Sequence, residues 1–259
     1  MSGNDTIISE NRTYWTGRAA GYSEVNQQEL SGEQRRKWRH AICSRIRAHF
    51  PDRPAGQIRV LEVGTGPGFF AILLAEAGYD VTAIDLTPEM LREAKKNAGS
   101  LSSRIDFIEM NAQDLAFADN RFDVIVSRNL TWNLPDPEQA YAEWMRVLRK
   151  DGLMLNFDAN WYGYLFDEAA MAAYVQDREN TAACGFKDEN IGESFDVMED
   201  IARRIPLSSV RRPQWDHTVL SALGMQVETD EQVWQHVWSM EEKTNFASTP
   251  MFLVHAVKA

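Results

Sequence analysis

Cysteine is scarce in this chain. Its 259 residues hold two, Cys43 and Cys184, which is no disulfide framework and has no zinc-site spacing. Five histidines, His40, His49, His217, His236 and His255, stand apart without a His-Glu-x-x-His pattern, so no metal site is expected. No apolar run is long enough to span a membrane, and the N-terminus is not signal-like. A cytoplasmic location is therefore the default expectation, with no membrane partner. Basic residues are outnumbered, 27 Lys and Arg against 38 Asp and Glu, for a net charge of −11. That balance argues against nucleic-acid binding, which needs clustered cations. The one basic run, Arg35 to His40 continuing through Arg45, Arg47 and Arg53, carries Trp38, Ile42, Ile46 and Phe50 at four-residue spacing. It reads as an amphipathic helix with a solvated basic face.

A 44% hydrophobic content is enough for one large core, with room for a helical cap. The most informative stretch is Val60-Leu61-Glu62-Val63-Gly64-Thr65-Gly66-Pro67-Gly68. A β-branched run ends in an acid, then three glycines alternate, and Phe69 to Ala77 follows as a good helix former. This reads as strand, tight turn and helix. Glycine permits positive φ and close approach of a ligand, and the helix start offers free N–H groups. A dinucleotide fingerprint would need its third glycine at position 69, which is Phe69.

The neighbours extend the pattern. Asp80 to Ile84 reads as a second strand ending in Asp85, an acid placed to take both hydroxyls of a ribose. Thr87-Pro88 opens a helix that passes Met90, Leu91 and Ala94 and ends near Gly99, with Thr87 as its N-cap. Arg104 to Glu109, Phe122 to Ser127 and Leu153 to Phe157 read as three further strands. An amphipathic helix from Pro137 to Leu148 precedes the last of them. Strands alternating with helices predict an α/β fold with a parallel, doubly wound sheet.

Taken in order, these residues resemble the class I S-adenosylmethionine (SAM) dependent methyltransferases. The spacing of Gly64, Gly66 and Gly68 after Glu62 is similar to that family's first motif. The resemblance covers roughly residues 55–160 well and the C-terminal part loosely. It implies a Rossmann-like, mostly parallel seven-stranded sheet with SAM as cofactor. It also implies cofactor contacts from Glu62, Gly64, Thr65, Gly66, Gly68, Asp85, Leu86, Met90, Ala112, Gln113, Arg128 and Tyr14. The family's adenine loop usually begins with Asp. Here that position is Asn111, and either Asn111 or Asp114 could accept from the adenine amino group. The scarcity of cysteine speaks against the family's arsenic-methylating branch.

Four segments follow from this reading. Residues 1–54 form an N-terminal helical cap, with Tyr14-Trp15 and Arg18 to Tyr22 similar to the family's aromatic cover. Residues 55–160 form the SAM-binding core. Residues 161–213 form a helical lid over the acceptor, with helices expected over Phe166–Glu179 and Phe195–Arg204. Residues 214–259 close the sheet with a helix to about Leu223, a strand from Met225 and a last antiparallel strand over Pro250–Val257.

Chemistry belongs on loops at the carboxyl ends of the strands. Two such loops are rich in rings and amides: Trp132-Asn133-Leu134-Pro135 and Asp158 to Tyr164. Trp132, Asn133, Tyr162 and Tyr164 are the catalytic candidates. Packing between sheet and lid is the alternative role for each ring. Together they would make an aromatic pocket for a sulfonium, because ring faces attract cations. The strand-four loop holds no Asp, His or Lys to act as general base. Methyl transfer to a small-molecule acceptor driven by alignment is the first expectation. Two alternatives stay open. One is cyclisation of SAM to azetidine-2-carboxylate and methylthioadenosine, helped by Asn133, Tyr162, Tyr164 or Ser194. The other is a SAM-binding regulator without chemistry. A homodimer is an open option.

Overall fold

The computed structural model describes residues 3–188 and 195–259. Seven strands form one sheet: β1 (Arg59–Val63), β2 (Asp80–Asp85), β3 (Ile105–Glu109), β4 (Phe122–Arg128), β5 (Leu148–Asp158), β6 (Met225–Asp230) and β7 (Phe252–Lys258). Their order is β3-β2-β1-β4-β5-β7-β6, with β7 antiparallel to both neighbours and the other pairings parallel. The expected α/β Rossmann-like sheet is present.

Side chains on a strand alternate between faces, and the core divides accordingly. Val60, Val124, Leu153 and Leu155 join one buried cluster. Their neighbours Leu61, Ile125 and Met154 join the other. Both faces are covered, which is why these strands read as continuous apolar runs. Burying each such aliphatic side chain contributes about 1.5–3 kcal/mol.

The helices are α1 (Gly3–Ser31), α2 (Glu33–His49), α3 (Phe69–Glu76), α4 (Pro88–Ala98), α5 (Pro137–Val147), α6 (Glu168–Ala183), α7 (Phe195–Ala202), α8 (Gln214–Ala222), α9 (Trp234–Val237) and α10 (Met240–Asn245). The basic run is α2, and its expected apolar face is real: Trp38, Ile42 and Ile46 are buried. Several boundaries differ from expectation. The polar start is one 29-residue helix with no apolar stripe. β5 begins at Leu148 rather than Leu153, because Leu148 already pairs with Phe122 before the turn at Asp151, where φ is 56°. Thr87 holds the N-cap position of α4, but its side chain makes no cap bond. Its backbone N–H donates instead to Asp85 Oδ1 at 2.9 Å.

Two buried networks hold the loops at the carboxyl edge. Arg212 donates to Asp158 at 2.7 Å and through two nitrogens to Asp216 at 2.7 and 2.9 Å. Tyr141 hydrogen bonds the same Asp216. Asp158 Oδ2 also accepts from the Trp132 N–H, so the loops after β4 and β5 share one anchor. The second network is Arg128 at the end of β4, forked onto Glu29 of α1 at 2.7 and 3.0 Å.

Candidate active site

A cleft of about 970 Å³, its open mouth included, lies at the carboxyl ends of β1, β2 and β4 beneath α1. Its floor is the glycine turn. Gly64 and Thr65 both donate backbone N–H to the Ile84 carbonyl at 2.9 Å, folding the turn across β2. Gly64 has φ 70°, and a Cβ there would stand 2.7 Å from a Leu130 methyl. Gly68 has φ 91°, and its Cβ would stand 3.0 Å from Ala94 Cβ. Gly68 is thus needed for seating α3 against α4 and does not line the cleft.

Asp85 sits across from the turn. One oxygen accepts from Gly66 N–H and the other from Thr87 N–H, both at 2.9 Å. Burial raises its carboxyl above the usual range, with those two bonds opposing. The Thr87 hydroxyl also lies against this carboxyl, and two carboxylate oxygens offer about four acceptor sites, so capacity remains for a hydroxyl donor. Leu86, Met90, Asn111, Ala112 and Gln113 line the same end. Asn111 Oδ1 accepts from Gln113 N–H at 3.0 Å, while Gln113 Oε1 accepts from Asp136 N–H at 2.7 Å. Of the two open candidates for the adenine edge, Asn111 is on the cleft wall and exposed Asp114 is not.

Glu62 closes the other end. It is buried and accepts a 2.6 Å bond from the Thr65 hydroxyl. Burial pushes its carboxyl up to about 8, against the pull of Thr65 and Arg128. Between 4.5 and about 8 the unfolded chain has lost this proton while the folded chain keeps it. Stability attributable to Glu62 therefore falls as pH rises through that window. Glu62→Gln should flatten the fall, gaining on the parent protein between about pH 5 and about pH 8. Urea midpoints at the two pH values check this.

The cleft roof is α1. Asn11 donates to the Asn133 carbonyl at 2.9 Å, Arg12 pairs with Glu109, Gln27 reaches Asn97 at 2.9 Å, and Glu29 grips Arg128. Trp15, Tyr22 and Asn26 line the cleft from this helix. Tyr14 faces elsewhere, packed beside Ile7 and Trp132, with its ring 5.1 Å edge-on from Trp15.

The four catalytic candidates separate. Asn133 lines the cleft, and its Oδ1 is buried with no donor, as is Asn11 Oδ1. Trp132 lies with Met198, Ile201 and Ile205 in the contact between α7 and α1, against Tyr162 at 5.0 Å. Tyr164 donates to Glu199 at 2.8 Å and stacks on Tyr174 at 4.0 Å. Burial, chiefly, raises both phenols, so their hydroxyls stay protonated. Ser194 lies outside the described residues. Sequence reasoning missed Asn11, Asn26, Glu29 and Asn129 at this site. Nothing in a polar helix without a stripe marks which side faces a cleft.

The features fit SAM. A carboxylate with spare lone pairs faces a glycine turn, and two orphaned amide oxygens, Asn11 Oδ1 and Asn133 Oδ1, wait for donors. Among the described residues no group of three His, Cys, Asp or Glu could hold a metal, and no helix is long and apolar enough to cross a membrane.

Residues 61–156 match the family defined as "Methyltransferase domain". The chain is 35% identical over 132 residues to a demethylmenaquinone methyltransferase of Renibacterium salmoninarum, covering 51% of this chain and 52% of that one. It thus spans about half the length of the curated relatives it matches. In fold it is similar to a SAM dependent methyltransferase from Aquifex aeolicus, with a TM-score of 0.52, 17% identity and coverage of 83% and 89%. It is also similar to Haemonchus contortus phosphoethanolamine N-methyltransferase 2, solved with phosphomonomethylethanolamine and S-adenosylhomocysteine. That TM-score is 0.55, with 15% identity and coverage of 83% and 52%. Residues 61–156 of this chain therefore belong to the class I SAM-dependent methyltransferase family.

Proposed function

We propose that this chain is a SAM-dependent methyltransferase acting on a small-molecule acceptor. The observation that carries the reading is the convergence of the glycine turn, Asp85 and the Asn111–Gln113 loop on one cleft at the strand ends. When bound, the cofactor supplies an electrophilic methyl group on a sulfonium. Asp85 holds the ribose hydroxyls, Asn111 to Gln113 meet the adenine edge, and the Gly64–Gly66 backbone with Glu62 receives the amino-acid end. Asn133 faces the reacting region from the β4 loop. Helix α1 keeps water out, strapped at Asn11 and Glu29. Trp132 and Tyr162 hold the lid against α1, and Tyr164 ties α6 to α7 within it. Alignment then supplies most of the acceleration, up to about 7–11 kcal/mol in the best cases. No observation favours cyclisation of SAM, since Tyr162 and Tyr164 do not line the cleft.

Asp85→Ala should weaken SAM binding by about 1–3 kcal/mol, the scale of charge-assisted hydrogen bonds in a buried site. Calorimetry checks this, with Asp85→Asn as the variant that keeps the amide-accepting oxygen. An unchanged dissociation constant would remove Asp85 from the ribose.

A further inference from the structure

A second cavity abuts the first. It measures about 1070 Å³ with its mouth and shares the Tyr22 ring, Arg128 and Asn129 with the cleft. Its walls come from α1, the loops after β4 and β5, and the segment before β7. Trp161, Trp238 and Phe246 form a ring cluster there, with centroids 5.3 to 6.4 Å apart. None of these rings is in the cofactor cleft.

The same wall carries charge. Two cations, Arg18 and Arg128, line it against three carboxylates, Glu29, Glu241 and Glu242, and Glu29 already occupies two nitrogens of Arg128. Glu242 is a second carboxylate beside that pair. Its Oε2 accepts from Ser239 N–H at 2.7 Å and from the Gln34 amide. The Ser239 hydroxyl also lies against this carboxyl, and Oε1 takes neither the Ser239 N–H nor the Gln34 amide. Burial and the neighbouring Glu29 both raise its carboxyl, against the Ser239 bonds and Arg128. Asn129 Oδ1, on the wall common to both cavities, is likewise a buried acceptor without a donor. Ring faces, a surplus carboxylate and an unserved amide oxygen favour one kind of guest, a cationic N–H donor.

We propose that this second cavity is the acceptor chamber and that it takes an organic amine, bound as its ammonium by Glu242 and the Trp161–Trp238–Phe246 rings. The inference rests on the methyltransferase reading. One ammonium proton passes to Glu242 Oε1. The freed nitrogen lone pair then forms the N–C bond while the methyl carbon's bond to sulfur breaks toward sulfur. Glu242 thereby supplies the base that the β4 loop lacks.

The test uses three probes of one shape, benzylamine, benzyl alcohol and benzoate, titrated into the full chain and read by tryptophan fluorescence. Benzylamine should bind at least about ten-fold tighter than the alcohol, and benzoate weakest. Glu242→Gln should erase the preference for the amine. Glutamine at this position can still serve the Ser239 capping box, so α10 is expected to persist. Phe246→Leu should weaken benzylamine while leaving the alcohol nearly unchanged. Equal binding of amine and alcohol, or stronger binding of benzoate, overturns the proposal on the unaltered protein alone. SAM binding is measured separately by calorimetry. Tight SAM with no amine preference removes this inference and leaves the methyltransferase reading standing. An amine preference without SAM binding removes the acceptor role.

Discussion

Arg212→Ala should cost about 3–5 kcal/mol of folding stability, the scale for removing one partner from a buried ion pair. Arg212, Asp158 and Asp216 have fully buried side chains. Arg212 pairs with both carboxylates, and its guanidinium also sits 5.1 Å over the Phe252 ring. Without it, two carboxylates face each other away from water. Domains of this kind carry only about 5–15 kcal/mol in total, so the variant should show a sharply lowered urea midpoint. The damage reaches the site, because Asp158 holds the Trp132 N–H and Asn160 is bonded to the Arg212 backbone. A triple replacement, Arg212→Met with Asp158→Asn and Asp216→Asn, should cost less than the single change. A loss under about 1 kcal/mol for Arg212→Ala would mean that water reaches this cluster.

Arg128→Ala should cost a similar amount, about 3–5 kcal/mol, with a second consequence. The guanidinium is forked onto Glu29 and lies 4.5 Å from the Phe69 ring centroid. It joins the roof helix α1 to the end of β4. Removing it leaves Glu29, which is 6% exposed, without its cation. Helix α1 should then come away from the cleft, raising its susceptibility to proteolysis and weakening SAM binding. A double-mutant cycle with Glu29→Ala isolates the pair. The two losses should fall short of additivity by at least about 1 kcal/mol. Strict additivity would mean that the ring contacts, rather than Glu29, account for the effect.

What the sequence reveals depends on the range of the interactions involved. Val60 to Val63, Asp80 to Ile84 and Phe122 to Ser127 are short apolar runs bounded by turns, and each is the strand it reads as. Their order, with the glycine turn between β1 and α3, is enough to place Asp85 and Asn111 at one edge. The roof is different. Helix α1 has no continuous apolar stripe, and its position owes much to Asn11 meeting Asn133 and Glu29 meeting Arg128, 122 and 99 residues away. No local periodicity encodes such pairs. The rings show a related ambiguity. Trp132, Tyr162 and Tyr164 stand on the loops that usually bear chemistry, yet their neighbours Ile7, Met198, Ile201 and Glu199 draw them into packing against α1 and α7. Trp161, one residue from Tyr162, faces the second cavity instead. An aromatic residue on a loop suits either surroundings. Helices α9 and α10 are too short to show a helical period, although Ser239 and Glu242 carry a capping box that is readable three residues apart.

Mass spectrometry of the purified protein incubated with SAM, first alone and then with a cellular metabolite extract, tests the methyl-transfer claim most directly. SAM should remain intact alone, and S-adenosylhomocysteine should appear with a methylated product when the extract is added. Methylthioadenosine accumulating with a C4 amino acid from SAM alone would contradict methyl transfer and establish cleavage on the other side of the sulfur.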